Sequence, residues 1–252
     1  GSAADVARLL SAGHSASEVD AASSANLLGL AARRAPADDG VAKQICMLLV
    51  EEHKLDVSTA DGSARTPLFH AVGGRLAACA EYLLTARADA NAKDKNGSSP
   101  LAVAAAAGQV SMVELLLRHG AETRDALLVC AAPCVAPLVA AKCDPNACGT
   151  DGQTPLHRAA QQRDGAAKLA ALLESRADVD VRDTDGWAAM HYAVKSKSMQ
   201  VCKDLAKVAD LESKTDAGET PLALAKQLGW VAGAKFLAGE TGRRTEQALA
   251  AR

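Results

Sequence analysis

The sequence predicts an all-α fold built from repeated helix pairs, and three observations support this prediction. Of 252 residues, 49% are hydrophobic but only 2% are aromatic, so the core has to consist mainly of Ala, Leu and Val, which suit close helix-on-helix packing. Runs of β-branched and aromatic residues with a period of two, which are typical of half-buried strands, are absent from the sequence. Finally, one helix-start pattern recurs along the chain at steps near 33 residues.

The clearest copy of this pattern is the stretch 149–160, G-T-D-G-Q-T-P-L-H-R-A-A. Gly152 permits a positive φ in a tight turn. Thr154 is a residue type that caps helices, and Pro155 suits the first helical position, where its missing N–H costs nothing. Leu156 then begins an apolar stripe at helical spacing. The stretch therefore predicts a tight turn followed at once by a helix.

The same helix-start position recurs at Thr66, Ser99, Thr154, Ala188 and Thr220. The steps between these positions are 33, 55, 34 and 32 residues. The step of 55 is too long for one unit and too short for two full units. Within it, residues 125–131 repeat the helix-start pattern without the preceding turn, which predicts a shortened unit in the middle of the array.

A period near 33 that combines T-P-L-H-x-A with a following G-A-D-V-N resembles the ankyrin repeat. The helix starts that match are Thr66, Ser99, Thr154 and Thr220. The unit ends that match are 87–91, 120–122, 143–146 and 176–180. The resemblance covers roughly residues 5–239. It implies an all-α ankyrin-repeat solenoid of about six to seven stacked helix-turn-helix units, with β-turn fingers along one edge.

The boundaries follow from this register. We expect a single array over residues 1–240, with a C-terminal cap or tail at 240–252. The expected divisions are a partial unit at 4–20 and units at about 22–60, 61–93, 94–124, 125–148 (short), 149–182, 183–214 and 215–239. In the family's pattern glycine closes the second helix of a unit, but here Arg87, Lys142 and Arg176 stand at that position. A non-glycine residue in the left-handed conformation costs about 1 kcal/mol.

A binding face is expected on the fingers and on the exposed side of the first helices, where repeat scaffolds carry their variable residues. One of the two tryptophans and one of the two tyrosines, Trp187 and Tyr192, fall on such positions within one unit. Trp, Tyr and Arg dominate binding hot spots. The other predicted site residues are Arg158, Gln153, Gln162, Lys195, Lys197, Lys95 and Asn96. The alternative for Trp187 is packing against the neighbouring finger.

Four cysteines lie within 19 residues, at Cys130, Cys134, Cys143 and Cys148, and this spacing raises the alternative of a zinc site. The repeat register argues against it, because Cys130 and Cys143 stand where other units have alanine. Free cysteine behaves as a small buried hydrophobic residue. We therefore interpret these cysteines as core side chains, and we expect neither a metal nor a cofactor.

The histidines have a structural interpretation. His157 and His191 occupy the T-P-L-H position, where the resemblance implies hydrogen bonds that tie neighbouring turns together. His70 is displaced from this position by one residue, so its role stays open and an exposed location is considered. No Ser/His/Asp or Cys/His set and no glycine-rich phosphate loop stands out in the sequence. We expect no enzymatic activity.

Charge and composition limit the partners. A net charge of −2 supplies no basic field for nucleic acid or for an anionic membrane. No apolar run reaches the length of a membrane span, so no direct membrane insertion is expected. No leader peptide is visible, and the seven cysteines do not form a disulfide framework. We expect an intracellular protein, cytoplasmic or in an organelle if a targeting segment has been removed.

Together these observations predict a scaffold or adaptor that binds another protein, with an acidic or mixed surface, through its concave face. Two alternatives remain at this point. The chain could be a structural subunit buried in a large assembly, or a regulatory ankyrin module of a larger enzyme or channel.

Overall fold

The computed structural model describes residues 27–34, 39–124, 126–162 and 164–250. These residues form fourteen α-helices and one 3-10 turn, and they contain no strand. The all-α prediction is therefore confirmed. The partial unit expected at 4–20 lies outside the described residues.

The chain divides into two compact units, 1–126 and 127–252. The helices of the first unit are α1 (Leu27–Arg34), α2 (Asp39–Glu51), α3 (Pro67–Gly73), α4 (Ala77–Thr85), α5 (Pro100–Ala106) and α6 (Val110–Arg118). Within this unit α1, α3 and α5 pack in series, and α2, α4 and α6 form a parallel series. Three helix pairs are thus stacked, as the ankyrin resemblance implies.

The second unit contains the remaining helices. They are α7 (Ala126–Val129, which begins at the boundary), a 3-10 turn (Ala132–Cys134), α8 (Val135–Ala140), α9 (Pro155–Gln161), α10 (Ala166–Glu174), α11 (Ala189–Lys195), α12 (Met199–Leu205), α13 (Pro221–Gln227) and α14 (Val231–Ala250). Helices α9, α11 and α13 stack in series, and so do α8, α10 and α12. Helix α14 has 20 residues and continues through the region expected as a cap or tail, as far as Ala250.

The first helices begin as the sequence predicts. Proline occupies the start of α3, α5, α9 and α13. Before α5, Ser99 Oγ accepts a hydrogen bond from the N–H of Ala102 at 3.1 Å. Before α3, the equivalent Thr66 Oγ1 is buried and finds no hydrogen-bond partner among the described residues. The hydroxyl at this helix-start position is thus hydrogen-bonded in the repeat of Ser99, whereas that of Thr66 in the preceding repeat is not.

A carboxylate from the neighbouring repeat caps α4. Leu76 at the N-cap position has no side chain that could accept a hydrogen bond. Asp39, the first residue of α2, accepts instead from the N–H of Ala78 at 2.7 Å and from the N–H of Cys79 at 3.0 Å. The first N–H groups of a helix lack partners within the helix, and Asp39 supplies an acceptor for two of these groups in α4. Because Asp39 belongs to the preceding repeat, the contact also joins consecutive repeats.

The turn fingers share one hydrogen-bond pattern, in which the first N–H donates to the carbonyl of the fifth residue. The described fingers are 61–65, 94–98, 149–153, 183–187 and 215–219. In finger 94–98, Asp94 Oδ1 also accepts from the N–H groups of Asn96 and Ser98, at 2.9 and 3.0 Å. The N–H of Lys95 reaches the carbonyl of Ser63 in the preceding finger at 3.0 Å. Each finger is therefore closed internally, and within each compact unit each finger is bonded to the next.

Three cations stand in the left-handed conformation at unit ends, as predicted. The φ angles are 68° at Arg87, 63° at Lys142 and 60° at Arg176. Each residue follows the second helix of its pair, where a positive side chain is also favourably placed near the free terminal carbonyls.

The core consists of small and aliphatic side chains. The leucine that follows the helix-start proline is buried at Leu68, Leu101 and Leu156. Cys46 and Cys79 are both fully buried, with their Sγ atoms 3.3 Å apart between α2 and α4. None of the helices in the described ranges combines the length and the apolar character that crossing a lipid bilayer requires.

Candidate functional site

Finger 183–187 places Trp187 at its last position and fixes its backbone from several sides. Its N–H donates to Asp183 Oδ1 at 2.8 Å, and its carbonyl accepts from the N–H of Asp183 at 3.0 Å. The same carbonyl lies 2.9 Å from Nε2 of His157 on α9. Since Nδ1 of His157 accepts from the N–H of Thr154 at 3.0 Å, Nε2 carries the proton and donates. The predicted tie between neighbouring turns is confirmed.

His191 repeats this arrangement one unit later. Its Nδ1 accepts from the N–H of Ala188 at 3.2 Å, and its Nε2 lies 3.2 Å from the carbonyl of Glu219. Burial lowers the pKa of both His157 and His191, so both rings are neutral at pH 7. The two histidines hold three successive fingers in register.

His70, whose role the sequence leaves open, has an inward-facing side chain. It is buried, with Nε2 3.1 Å from Asp61 Oδ2. Burial by itself raises the pKa of Asp61, but the N–H donors of Arg65 and Ser63, together with His70, bring that pKa below its ordinary value. The displaced histidine is thus held inside by the first residue of its own finger, and the exposed location considered for it is excluded.

The side chain of Trp187 packs among aromatic rings. Its centroid lies 5.1 Å from that of Tyr192 and 5.9 Å from that of His191, both in tilted geometry. Tyr192 in turn meets His157 edge-on at 5.6 Å. Lys195 Nζ lies 5.1 Å from the centroid of the Trp187 ring, within the range of a cation–π interaction. The indole is partly exposed, so it combines a fixed position with an accessible surface.

Tyr192 lies beneath this surface, and its expected location on the exposed side is corrected. Only 7% of the residue is accessible. Its hydroxyl donates a short hydrogen bond to Asp183 Oδ2 and accepts one from Gln153 Nε2 at 2.9 Å. Gln153 Oε1 accepts from Gln161 Nε2 at 2.8 Å. Burial, and then the adjacent carboxylate of Asp183, raise the pKa of Tyr192. The neutral phenol therefore supports Trp187 and orients two glutamines.

A groove of about 460 Å³ adjoins the indole. It is lined by Gln153, Gln161, Asp185, Tyr192, Lys195 and Ser196. Trp187 and these six residues are called the Trp187 surface below. It carries one carboxylate and one ammonium group beside amide groups and an aromatic ring, so it offers both apolar and polar contacts of mixed charge.

The other predicted site residues do not line this groove. Arg158 Nη2 pairs with Asp151 Oδ2 at 2.8 Å, and Gln162 is an exposed residue at the end of α9. Lys197 has a φ of 53° and donates from Nζ to the carbonyl of Leu228 at 3.2 Å. Lys95 and Asn96 are exposed on finger 94–98 of the first compact unit. Their role in binding stays a prediction.

Three residues that line the groove, Gln161, Asp185 and Ser196, are not among the residues predicted from the sequence. The repeat register contains a signal for Gln161. Aligning Thr154 with Ala188 places Gln161 at the same helix position as Lys195, a predicted site residue.

Three of the four clustered cysteines agree with the interpretation that they are core side chains. Cys130, Cys134 and Cys143 are buried, whereas Cys148 is exposed. Among the residues that the structure describes, no group of three or more His, Cys, Asp or Glu side chains is placed to hold a metal ion.

Comparison with protein families identifies the repeat. The family model described as ankyrin repeats (three copies) matches residues 28–126 and 124–215. The nuclear factor NF-kappa-B p105 subunit of Gallus gallus is 36% identical over 144 residues, which is 51% of this chain and 15% of that protein. The neurogenic locus notch homolog protein 1 of Homo sapiens is 30% identical over 166 residues, which is 66% of this chain and 6% of that protein. The chain thus spans only a small part of these curated relatives.

Solved structures of similar fold include two ankyrin repeat domains. That of human ASB11 has a TM-score of 0.67 at 24% identity, covering 80% of this chain and 92% of that chain. That of Bcl-3, a member of the IkappaB protein family, has a TM-score of 0.68 at 22% identity, covering 80% and 94% respectively. These similarities establish the fold.

Proposed function

Because this chain belongs to the ankyrin-repeat family, we propose that it is a non-enzymatic scaffold or adaptor that binds another protein through the Trp187 surface. The ankyrin repeat is a non-catalytic module of protein–protein interaction. The proposal adds to this general role a particular face of the second compact unit.

The observation that carries the proposal is the partly exposed indole of Trp187, held on a rigid support. Its backbone is bonded to Asp183 and His157, and its ring packs against Tyr192. Tryptophan in such a setting supplies a large contact area with little loss of conformational entropy on binding. A preformed surface of this kind loses less conformational entropy on binding than a flexible surface does, and this favours association.

The chemistry of the groove favours a partner with an acidic or mixed surface. The ammonium group of Lys195 lies over the indole of Trp187, and Asp185 supplies a carboxylate to the lining of the same groove. Gln161 presents an amide that can donate to and accept from a bound main chain. We infer a partner segment that combines a large apolar side chain with an acidic neighbour.

An intracellular location accompanies this proposal. All seven cysteines are free thiols in the structure, including the exposed Cys148. Free thiols persist where the compartment is reducing.

An affinity pull-down with quantitative mass spectrometry tests the proposal. The wild-type chain, Trp187→Ala and Val208→Ala are immobilised and incubated with the same lysate. Val208 is an exposed apolar residue that follows α12 and lies outside the Trp187 surface, so it is the control. We expect at least one partner to be retained by the wild type and by Val208→Ala but lost from Trp187→Ala. Equal recovery of every partner by the wild type and Trp187→Ala would contradict the proposal.

A further inference from the structure

A second groove, of about 380 Å³, lies between α13 and α14, away from the Trp187 surface. Its walls are alanines of both helices together with Trp230 and Val231, and its charged lining residues are Lys226 and Lys235. These four residues and the alanines define the Trp230 groove. Its volume falls in the lower part of the range of about 300–1,000 Å³ typical of binding pockets.

Trp230 is held in place by its backbone and by the packing of its ring. Its backbone N–H donates to the carbonyl of Ala225 at 2.9 Å, and its backbone carbonyl accepts from the N–H of Ala234 at 2.9 Å. The ring lies directly against Gly233, because a Cβ added there would come within 2.0 Å of it. One face of the indole therefore packs on α14, and the ring forms a preformed wall of the groove.

Large apolar side chains around Trp230 are exposed. Val231 is 67% accessible and Leu228 is 37% accessible. Exposed apolar residues that adjoin one another beside a groove are typical of an interaction site, whereas isolated ones are not. The apolar lining predicts an occupant with apolar side chains.

Both charged residues that line the groove are cations. None of the ion pairs between described residues involves Lys226 or Lys235. A third ammonium group, that of Lys197, lies 3.2 Å from the carbonyl of Leu228. The nearest acid along α14, Glu240, is paired with Arg243. Apolar walls with unpaired lysines at the rim complement an apolar segment flanked by carboxylates.

We propose that the Trp230 groove docks an amphipathic helix of a partner protein, whose apolar face is flanked by Asp and Glu. Large apolar side chains of that helix enter between α13 and α14 against Trp230 and Val231, as in helix-in-groove recognition. Its carboxylates meet Lys226 and Lys235. This site is separate from the Trp187 surface and does not depend on it.

Selection from a displayed peptide library tests this proposal. Peptides are selected on the full chain carrying Trp187→Phe, which leaves Trp230 as its one tryptophan, and are counter-selected on the same chain carrying Lys226→Glu and Lys235→Glu. We expect the enriched sequences to have large apolar residues at helical spacing with Asp or Glu beside them. A synthetic copy of an enriched peptide should shift the fluorescence of Trp230 as it binds.

Charge reversal gives the quantitative test. Reversing both Lys226 and Lys235 to Glu should weaken binding of the acidic peptide by about tenfold or more. Reversing the exposed Lys203 and Lys214, which do not line the groove, should change it by less than about twofold. Circular dichroism and the Tm show that each variant is folded.

Three results would overturn the proposal. One is the absence of any peptide that discriminates the two proteins used in selection. Another is enrichment of basic or uncharged sequences. The third is concentration-dependent self-association in sedimentation that the Lys226→Glu, Lys235→Glu variant abolishes, because a second copy of the chain would then be the occupant.

Discussion

At the scale of single residues, Gly152 shows why one finger position favours glycine. Its φ is 72°, which an L-residue adopts only with strain. A Cβ at this position would also lie 2.9 Å from the backbone nitrogen of Thr184 in the next finger. Gly218 has a similar φ of 79°, but an added Cβ there would meet no atom within 4 Å. Substitutions at these two glycines therefore distinguish the cost of the strained backbone conformation from the cost of a clash with the neighbouring finger.

The substitution Gly218→Ala should lower the free energy of unfolding by about 1 kcal/mol, the cost of the left-handed conformation. Gly152→Ala should lower it by about 2 kcal/mol or more, because the backbone of the neighbouring finger has to move as well. Urea unfolding of the two variants beside the wild type measures both values. Equal losses would show that the contact between the fingers carries no cost.

The buried histidines predict how stability depends on pH. Burial lowers the pKa of His157 and His191 in the folded protein, whereas the unfolded chain has the ordinary value of about 6.5. As the pH falls below about 6.5, the unfolded chain binds protons first, so the free energy of unfolding decreases. Above about pH 6.5 this contribution is fully present.

Urea unfolding at several pH values between about 7.5 and 5 measures this effect. The double variant His157→Gln, His191→Gln should show a shallower decrease than the wild type over the same window. The comparison removes the effect of carboxylates such as Asp61, which titrate at lower pH and are unchanged in the variant. A decrease of equal slope in both proteins would exclude the histidines as its cause.

At the scale of helices, two successive repeats offer a matched test of capping. Ser99→Ala should cost about 1 kcal/mol, since Ser99 Oγ accepts the N–H of Ala102 at the start of α5. Thr66→Val, at the start of α3, should leave stability unchanged or raise it by up to about 1 kcal/mol, because the buried Thr66 hydroxyl has no partner among the described residues. Thermal and urea unfolding distinguish the two. A loss on Thr66→Val comparable with that on Ser99→Ala would contradict this difference.

Local sequence signals predicted the helices well. The turn, the capping residue and the proline stand within a few residues of one another, so the starts of α3, α5, α9 and α13 could be placed from the sequence. The left-handed unit ends at Arg87, Lys142 and Arg176 followed from the repeat register and are confirmed.

Burial was harder to predict, because it depends on the neighbouring unit. Tyr192 is covered by Trp187 and bonded to Gln153, a residue 39 positions earlier in the chain. His70 is held inside by Asp61 across its own finger. Cys148 is exposed although it follows three buried cysteines. Helical periodicity indicates which side a residue faces, but not what covers that side.

At the scale of the whole molecule, the seven thiols should differ in reactivity because the stacked core buries most of them. Of the seven cysteines, Cys148 is exposed and the other six are buried. Burial also raises the pKa of Cys130 to about 11 and that of Cys202 to about 12, which disfavours their reactive thiolates. The folded chain should therefore present one rapidly reacting thiol, and the denatured chain seven.

Titration with an aromatic disulfide reagent, with and without denaturant, checks this expectation. The variant Cys148→Ser should lose the rapid reaction and retain six thiols after denaturation. Rapid reaction of several thiols in the folded chain would show that the stacked core opens under native conditions.

The central claim is that Trp187 supplies much of the binding energy. The most direct measurement is the Kd of the partner retained in the pull-down, by isothermal titration calorimetry at one fixed salt concentration, with urea unfolding of each protein. For Trp187→Ala we predict a loss of affinity of about 2 kcal/mol or more, which is about a 30-fold rise in Kd, and a smaller loss in the free energy of unfolding. An unchanged Kd would contradict the claim.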